Sequence, residues 1–178
     1  SWKTLASQEP NRYPKELFTV LESTWVFNTV EWLDHYAKRD WTLTHMDYEL
    51  DNVLIDDDGP IVIDWQSPMI SHPGVDLAWL LAASHTEETL AVEEDFLKLY
   101  RDTLSSSGGP NWSLEELEEA LAWGILYPVS CQAVPYLQDV SAYGEGAERM
   151  HQRFEKFLQG SIDAAVRWNL VDHLQPLI

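Results

Sequence analysis

The spacing of apolar residues changes several times along the chain, and each change predicts an element. Leu17, Phe18, Leu21, Trp25, Val26, Trp32 and Leu33 recur at roughly helical intervals, so a long helix is predicted from Pro14 to about Lys38. Pro14 suits its first turn, where a missing N–H costs nothing. Residues 1–13 show no such period and read as an irregular lead-in. The β-leaning run Trp41, Thr42, Leu43 follows, and then two short apolar runs, Asn52 to Ile55 and Ile61 to Asp64. Between them stand Asp56, Asp57, Asp58, Gly59 and Pro60, and an Asp-Gly step between apolar runs predicts a hairpin. The triple aspartate reads as a solvated turn, because Asp bonds readily to nearby backbone.

After Pro73 and Gly74 the helical period returns. Val75 to Ser84 is apolar on nearly all sides and predicts a buried helix. Glu87 to Leu104 predicts a second helix, closed by the Ser-Gly-Pro loop at 105–110. Ser113 and Glu116 form a capping-box pair that opens a third, with Pro128 and Pro135 expected to interrupt or kink it. A last helix is predicted over about Glu145 to Leu170. The fold class is α+β, mostly α, with one small hairpin in the N-terminal third.

Composition narrows the partners. In 178 residues, 45% of them apolar, there is enough material for a packed core. The net charge of −19 would repel nucleic-acid phosphates and anionic lipid surfaces, so neither nucleic acid nor membrane is expected as a partner. It tolerates, and could attract, a cationic small molecule. Cys131 is the only cysteine, which excludes an intrachain disulfide and a cysteine-rich zinc site and fits a reducing, cytoplasmic setting. No apolar run approaches spanning length.

The chemistry is concentrated in Thr44 to Leu81. His45, Asp47 and Asn52 share one loop, ordered H-x-D-x-x-x-x-N, and Asp64 follows on the far strand of the hairpin. Phosphoryl transfer from a nucleotide needs a carboxylate to take the proton of the attacking hydroxyl and oxygen donors to fix the metal on the phosphates. Magnesium accepts a carboxylate and an amide oxygen readily. Asp47 could be the base, Asn52 and Asp64 the metal donors. Each aspartate alone is an ordinary turn residue; the ordered set is the signal.

These residues resemble the aminoglycoside phosphotransferase and choline-kinase-like family, which has a protein-kinase-like fold. His45, Asp47 and Asn52 match its catalytic loop, Asp64 with Trp65 its metal-binding Asp and aromatic, and Asp76, Leu77, Ala78 its following Asp-Leu-Ala. The resemblance is close over about Trp32 to Ala83, and the Glu31 to Leu33 helix and the Thr42 to Thr44 lead-in fall where the family places them. It implies that Asp47 is the catalytic base, that Asn52 and Asp64 bind Mg2+, and that His45 and Asp76 brace the loop. It also implies ATP or GTP as donor and a small-molecule alcohol or amino-alcohol as acceptor. Glu49 stands where a basic or aromatic residue is frequent and is a substrate-side candidate, either repelling phosphate or meeting a cationic acceptor. Trp123, Tyr127, Tyr136 and Tyr143 fall in the later helices, where family members hold the acceptor, and Trp123 and Tyr127 are carried as substrate-side candidates by cation–π attraction. Core packing is the expected role of most aromatics. His72, His85, His151 and His173 read as surface or locally bonded groups.

Two departures stand out. Met46 occupies a position where the family usually has Gly. Nothing before His45 resembles a glycine-rich phosphate loop, and neither Lys3 nor Lys15 sits in an apolar strand. The expectation is therefore a single kinase-like C-terminal lobe over 1–178, with the catalytic and metal motif at 44–81 and acceptor-side helices at about 86–170. The N-terminal nucleotide lobe would be absent, supplied by a parent chain or replaced by self-association. Two other classes compete. A metal-dependent phosphohydrolase would use His45, Asp47, Asp64, His72 and Asp76 as ligands. A non-catalytic binding module would keep the lobe for partner contacts alone.

Overall fold

The computed structural model describes residues 2–24, 38, 40–84 and 86–174. Trp25, Val26, Glu31, Trp32 and Leu33 of the predicted first helix, and His85, lie outside the described residues. Within them the architecture is α+β and mostly helical, as the periodicity predicts.

The lead-in is not irregular. Helix α1 spans Trp2–Gln8 and α2 spans Lys15–Thr24. Trp2 and Leu5 are fully buried, and Trp2 packs against Phe18 with ring centroids 6.0 Å apart. A seven-residue helix has too few turns to show a period, which is why the pattern missed it. Between the two helices Arg12 reaches Glu9, the Tyr136 hydroxyl, Glu155 and Gln159. Burial pushes the Glu9 carboxyl up, but hydrogen bonds from Tyr136 and Arg12 outweigh it and hold its pKa below the usual glutamate value.

Two small antiparallel sheets follow. Strand β1 (Thr42–Thr44) pairs with β4 (Met69–Ser71), and β2 (Val53–Asp56) with β3 (Gly59–Val62). The hairpin is tighter than expected, with Asp56 opposite Gly59 and only two residues between them. The Asp56 Oδ1 accepts the N–H groups of Asp58 and Gly59, so the aspartate run is a local turn. Gly59 takes φ +123°, a backbone state that L side chains rarely adopt. Leu54, Ile55 and Ile61 of this hairpin are exposed, as are Leu43 and Ile70 of the other sheet.

The core lies among the helices. Helix α3 (Gly74–Ala83) is buried at Gly74, Val75, Leu77, Ala78, Trp79, Leu81 and Ala82. It crosses α5 (Leu114–Leu137) at two glycines: a Cβ on Gly124 would stand 1.9 Å from the Gly74 carbonyl oxygen. Contact that close fixes α3 on α5 backbone to backbone. Helix α5 opens with the predicted capping box, in which the Ser113 N–H bonds Glu116 and the Glu116 N–H bonds Ser113. It then runs through Pro128 and Pro135 without ending. A proline inside a helix costs about 3 kcal/mol. Leu121, Ala122, Trp123, Ile125, Leu126 and Val129 are buried around the first one, and each large apolar side chain contributes roughly 1.5–3 kcal/mol. Burial wins.

Helix α4 (Glu87–Ser106) is tied to the end of α6 (Ala147–Arg167) by Glu93, whose two oxygens accept a fork from Arg167 at 2.9 and 2.7 Å. The Trp168 indole N–H adds a third bond to Glu93 at 3.1 Å. The last helix does not reach Leu170 unbroken. It starts after a 3-10 segment at Val140–Gly146, ends at Arg167, and restarts as α7 (Leu170–Leu174). Asn169 at φ +52° makes the break, since Asn tolerates the left-handed cap.

Candidate functional site

Loop 45–52 leaves β1 and returns into β2, and its shape is set by backbone hydrogen bonds. The Asp76 carboxylate, in the first turn of α3, accepts the His45 N–H at 2.7 Å and the Met46 N–H at 2.9 Å. Below that clamp the His45 ring is fully buried, with Nε2 bonded to the Ile63 carbonyl at 2.8 Å. Trp65 packs edge-on against the ring at 4.7 Å. Met46 holds φ +70°, so the site where the family resemblance expects Gly does demand a left-handed backbone. Its side chain is buried, with the Thr44 hydroxyl 3.2 Å from its sulfur.

Asp47 is half-buried, and Asn52 is directly against it. The Asn52 Nδ2 donates to the Asp47 carbonyl at 2.8 Å and lies 3.4 Å from its carboxylate. That orientation turns the amide oxygen away from the Asp47 carbonyl. The Asn52 carbonyl accepts the Ile63 N–H at 2.9 Å, which extends the hairpin pairing by one residue and brings Asp64 beside the loop. Asp64 is not the last residue of a strand. Strand β3 stops at Val62, and Asp64 sits two residues later at φ +63° with an exposed side chain. The left-handed turn, which Asp tolerates, ends the ladder there.

Three substrate-side candidates part ways. Trp123 is only 2% exposed and belongs to the core, so the ring is not available to a solute and that expectation is corrected. Its position on the buried face of α5, next to Ala122 and one turn from Ala120, decides this. Tyr127, one turn on, is 40% exposed and packs beside Trp79 at 5.6 Å. Burial raises the Tyr127 pKa, with the Cys131 thiol and the Asp47 charge adding to it. Glu49 is engaged in an ion pair with Arg153 of α6 at 2.5 Å. Burial pushes the Glu49 pKa up; Arg153 opposes the shift, and the charges of Asp47 and Asp51 reinforce it. Tyr136 donates to Glu9 and stacks on His151, away from this loop's contacts.

The phosphohydrolase ligand set does not assemble. His72 is buried rather than at the surface, its Nδ1 accepting the Gly74 N–H and its ring stacked parallel to Trp112. Both Asp76 oxygens hold backbone N–H groups, and His45 Nε2 faces a carbonyl. Among the described residues no group of three or more His, Cys, Asp and Glu side chains is arranged to hold a metal ion. An amide oxygen and a carboxylate of the kind that Asn52 and Asp64 carry suit a hard cation that keeps most of its waters.

Compared with known proteins, residues 2–113 match the profile of the phosphotransferase enzyme family. The chain belongs to that family. Membership implies phosphotransferase chemistry in general, and the matched stretch holds the loop, the hairpin and the clamp from Asp76. Helices α5 and α6, with Tyr127 and Arg153, lie beyond it. No curated protein and no solved structure is significantly similar to the chain. Among the described residues no helix is long and apolar enough to cross a membrane.

Arg153 is the residue that sequence reasoning missed. It lies 104 positions from Glu49, and no local pattern marks it. The only signal was the chemistry of Glu49, an acid in an acidic loop that needs a cation.

Proposed function

We propose that this chain carries the phosphoryl-transfer centre of a small-molecule O-phosphotransferase, moving the γ-phosphate of ATP or GTP to the hydroxyl of an alcohol or amino-alcohol. What supports the reading is the bonded chain from Asp47 to Asn52 to Ile63, which ties the candidate base and the candidate amide donor to the hairpin one residue before Asp64. Asp47 orients the acceptor hydroxyl and takes its proton as the oxygen attacks phosphorus, while the nucleoside diphosphate leaves. Asn52 Oδ1 and the Asp64 carboxylate would hold Mg2+, which when bound neutralises phosphate charge. His45 and Asp76 fix the backbone before Asp47 and do not react. Tyr127, 40% exposed on α5, would offer the acceptor a ring.

The reading also assigns the exposed apolar residues of the hairpin, Leu54, Ile55 and Ile61, to contact with a nucleotide-covering lobe from outside the described residues. The test is transfer of labelled γ-phosphate from MgATP and MgGTP to a panel of alcohols and amino-alcohols, using the longest native form of the chain. Asp47→Asn should lower turnover by roughly 10²–10⁴-fold with an unchanged unfolding midpoint. Transfer that survives Asp47→Asn would remove the assigned base.

A further inference from the structure

Loop 47–51 carries three carboxylates, Asp47, Glu49 and Asp51, in five consecutive positions. Left alone they repel, and Glu49 is the most enclosed of the ion-paired ones, its side chain 16% exposed. Among the described residues, Arg153 is paired with two of them. Arg153 pairs with Glu49 through one terminal nitrogen at 2.5 Å, and its other terminal nitrogen lies 3.7 Å from Asp51. We infer that Arg153 is a positioning residue for the catalytic loop, holding Asp47 at its working place by clamping Glu49 and Asp51 from α6.

The clamp has a rigid mount. Phe157, one turn beyond Arg153, packs edge-on against Trp79 of α3 with centroids 5.0 Å apart, and Trp79 in turn neighbours Tyr127 of α5. Further along, Leu158 and Ile162 are fully buried. The base of the arginine is therefore set by the core, and only its tip meets the loop. On the loop side the restraint passes along short bonds: the Glu49 N–H donates to the Asp47 carbonyl and the Glu49 carbonyl accepts the Asn52 N–H. A shift of Glu49 thus moves both the base and the amide donor. The pairing also bears on the role of Glu49. With its carboxylate paired to an arginine, Glu49 in this proposal acts on the substrate through loop geometry.

The inference rests on the phosphotransferase reading for its catalytic consequence, so the experiment carries two arms. In the first, amide hydrogen exchange is followed in the full native chain for Arg153→Ala, Arg153→Lys, Arg153→Glu and the swap Glu49→Arg with Arg153→Glu. The Glu49 and Asn52 amides should exchange roughly two- to fivefold faster in Arg153→Ala, the range an exposed ion pair can supply. They should exchange faster still in Arg153→Glu and return close to the native rate in the swap, while α6 amides stay unchanged. In the second arm, kcat should fall with loop exchange and the nucleotide KM should hold. Unchanged loop exchange in Arg153→Glu, or a swap that fails to restore it, overturns the clamp. A full native chain without any transfer, but with loop exchange obeying the swap, refutes the phosphotransferase reading and leaves the clamp standing.

Discussion

Met46 offers the sharpest test of the loop's backbone. At φ +70° an L side chain suffers roughly 1–2 kcal/mol of clash that glycine escapes, and glycine gives back about 0.5–1 kcal/mol through its freer unfolded chain. At this position glycine should therefore beat alanine by about 0.5–1 kcal/mol, the reverse of their usual order. The Met side chain works in the other direction. It is only 7% exposed and touches the Thr44 hydroxyl, so truncating it costs roughly 2–5 kcal/mol. Both variants keep the Met46 N–H bond to Asp76, which leaves strain, packing and the freedom of the unfolded chain as the differences. The expected order of stability is native, then Met46→Gly, then Met46→Ala. Urea denaturation with a common slope measures it, and the glycine variant should also melt about 1–4 °C above the alanine one. Alanine equal to or better than glycine would show that the residue is not left-handed. A glycine variant as stable as the native chain would show that the sulfur is not packed.

Asp76→Ala strands two buried backbone N–H groups and should cost roughly 2–5 kcal/mol in urea denaturation, with Asp76→Asn between it and native because one acceptor survives. Glu93→Gln weakens the fork from Arg167 and should cost about 1–3 kcal/mol, seen as faster proteolysis at the α6–α7 junction; an unchanged digestion rate would contradict the anchoring role. Glu9 has a lowered folded pKa, so the unfolded state binds more protons in the acid range. Its contribution is complete above the ordinary glutamate value and is lost as pH falls through the lowered one. Glu9→Gln should flatten that part of a stability curve taken from about pH 7 to about pH 3, and an identical acid limb would refute the assignment.

What the sequence made legible follows from range. The capping box at Ser113, the Asp-Gly hairpin and the apolar α3 rest on neighbours within a few residues, and each formed as its pattern predicts. The ordered set His45, Asp47, Asn52, Asp64 and Asp76 lies within one short stretch, and the structure brings it to one loop and its supports. What stayed hidden depends on partners far along the chain. Strand β4 is three residues long and exists because Met69–Ser71 finds β1. Helix α5 survives Pro128 because of burial that no local rule records. Trp123 and Tyr127 lie one turn apart on the same face of α5 and look equivalent in the sequence, and only the packing along that helix leaves one in the core and the other 40% exposed. Arg153 needed the whole tertiary structure.

The bonds that shape the loop also bear on the order in which the chain folds. The clamp from Asp76 bridges 31 and 30 positions, His45 to Ile63 bridges 18, and Asn52 to Asp47 only 5. Closing segments this short loses little chain entropy, so a nascent polypeptide could shape this region before its C-terminal third has docked. Arg153 would arrive last, as a latch on an assembled loop.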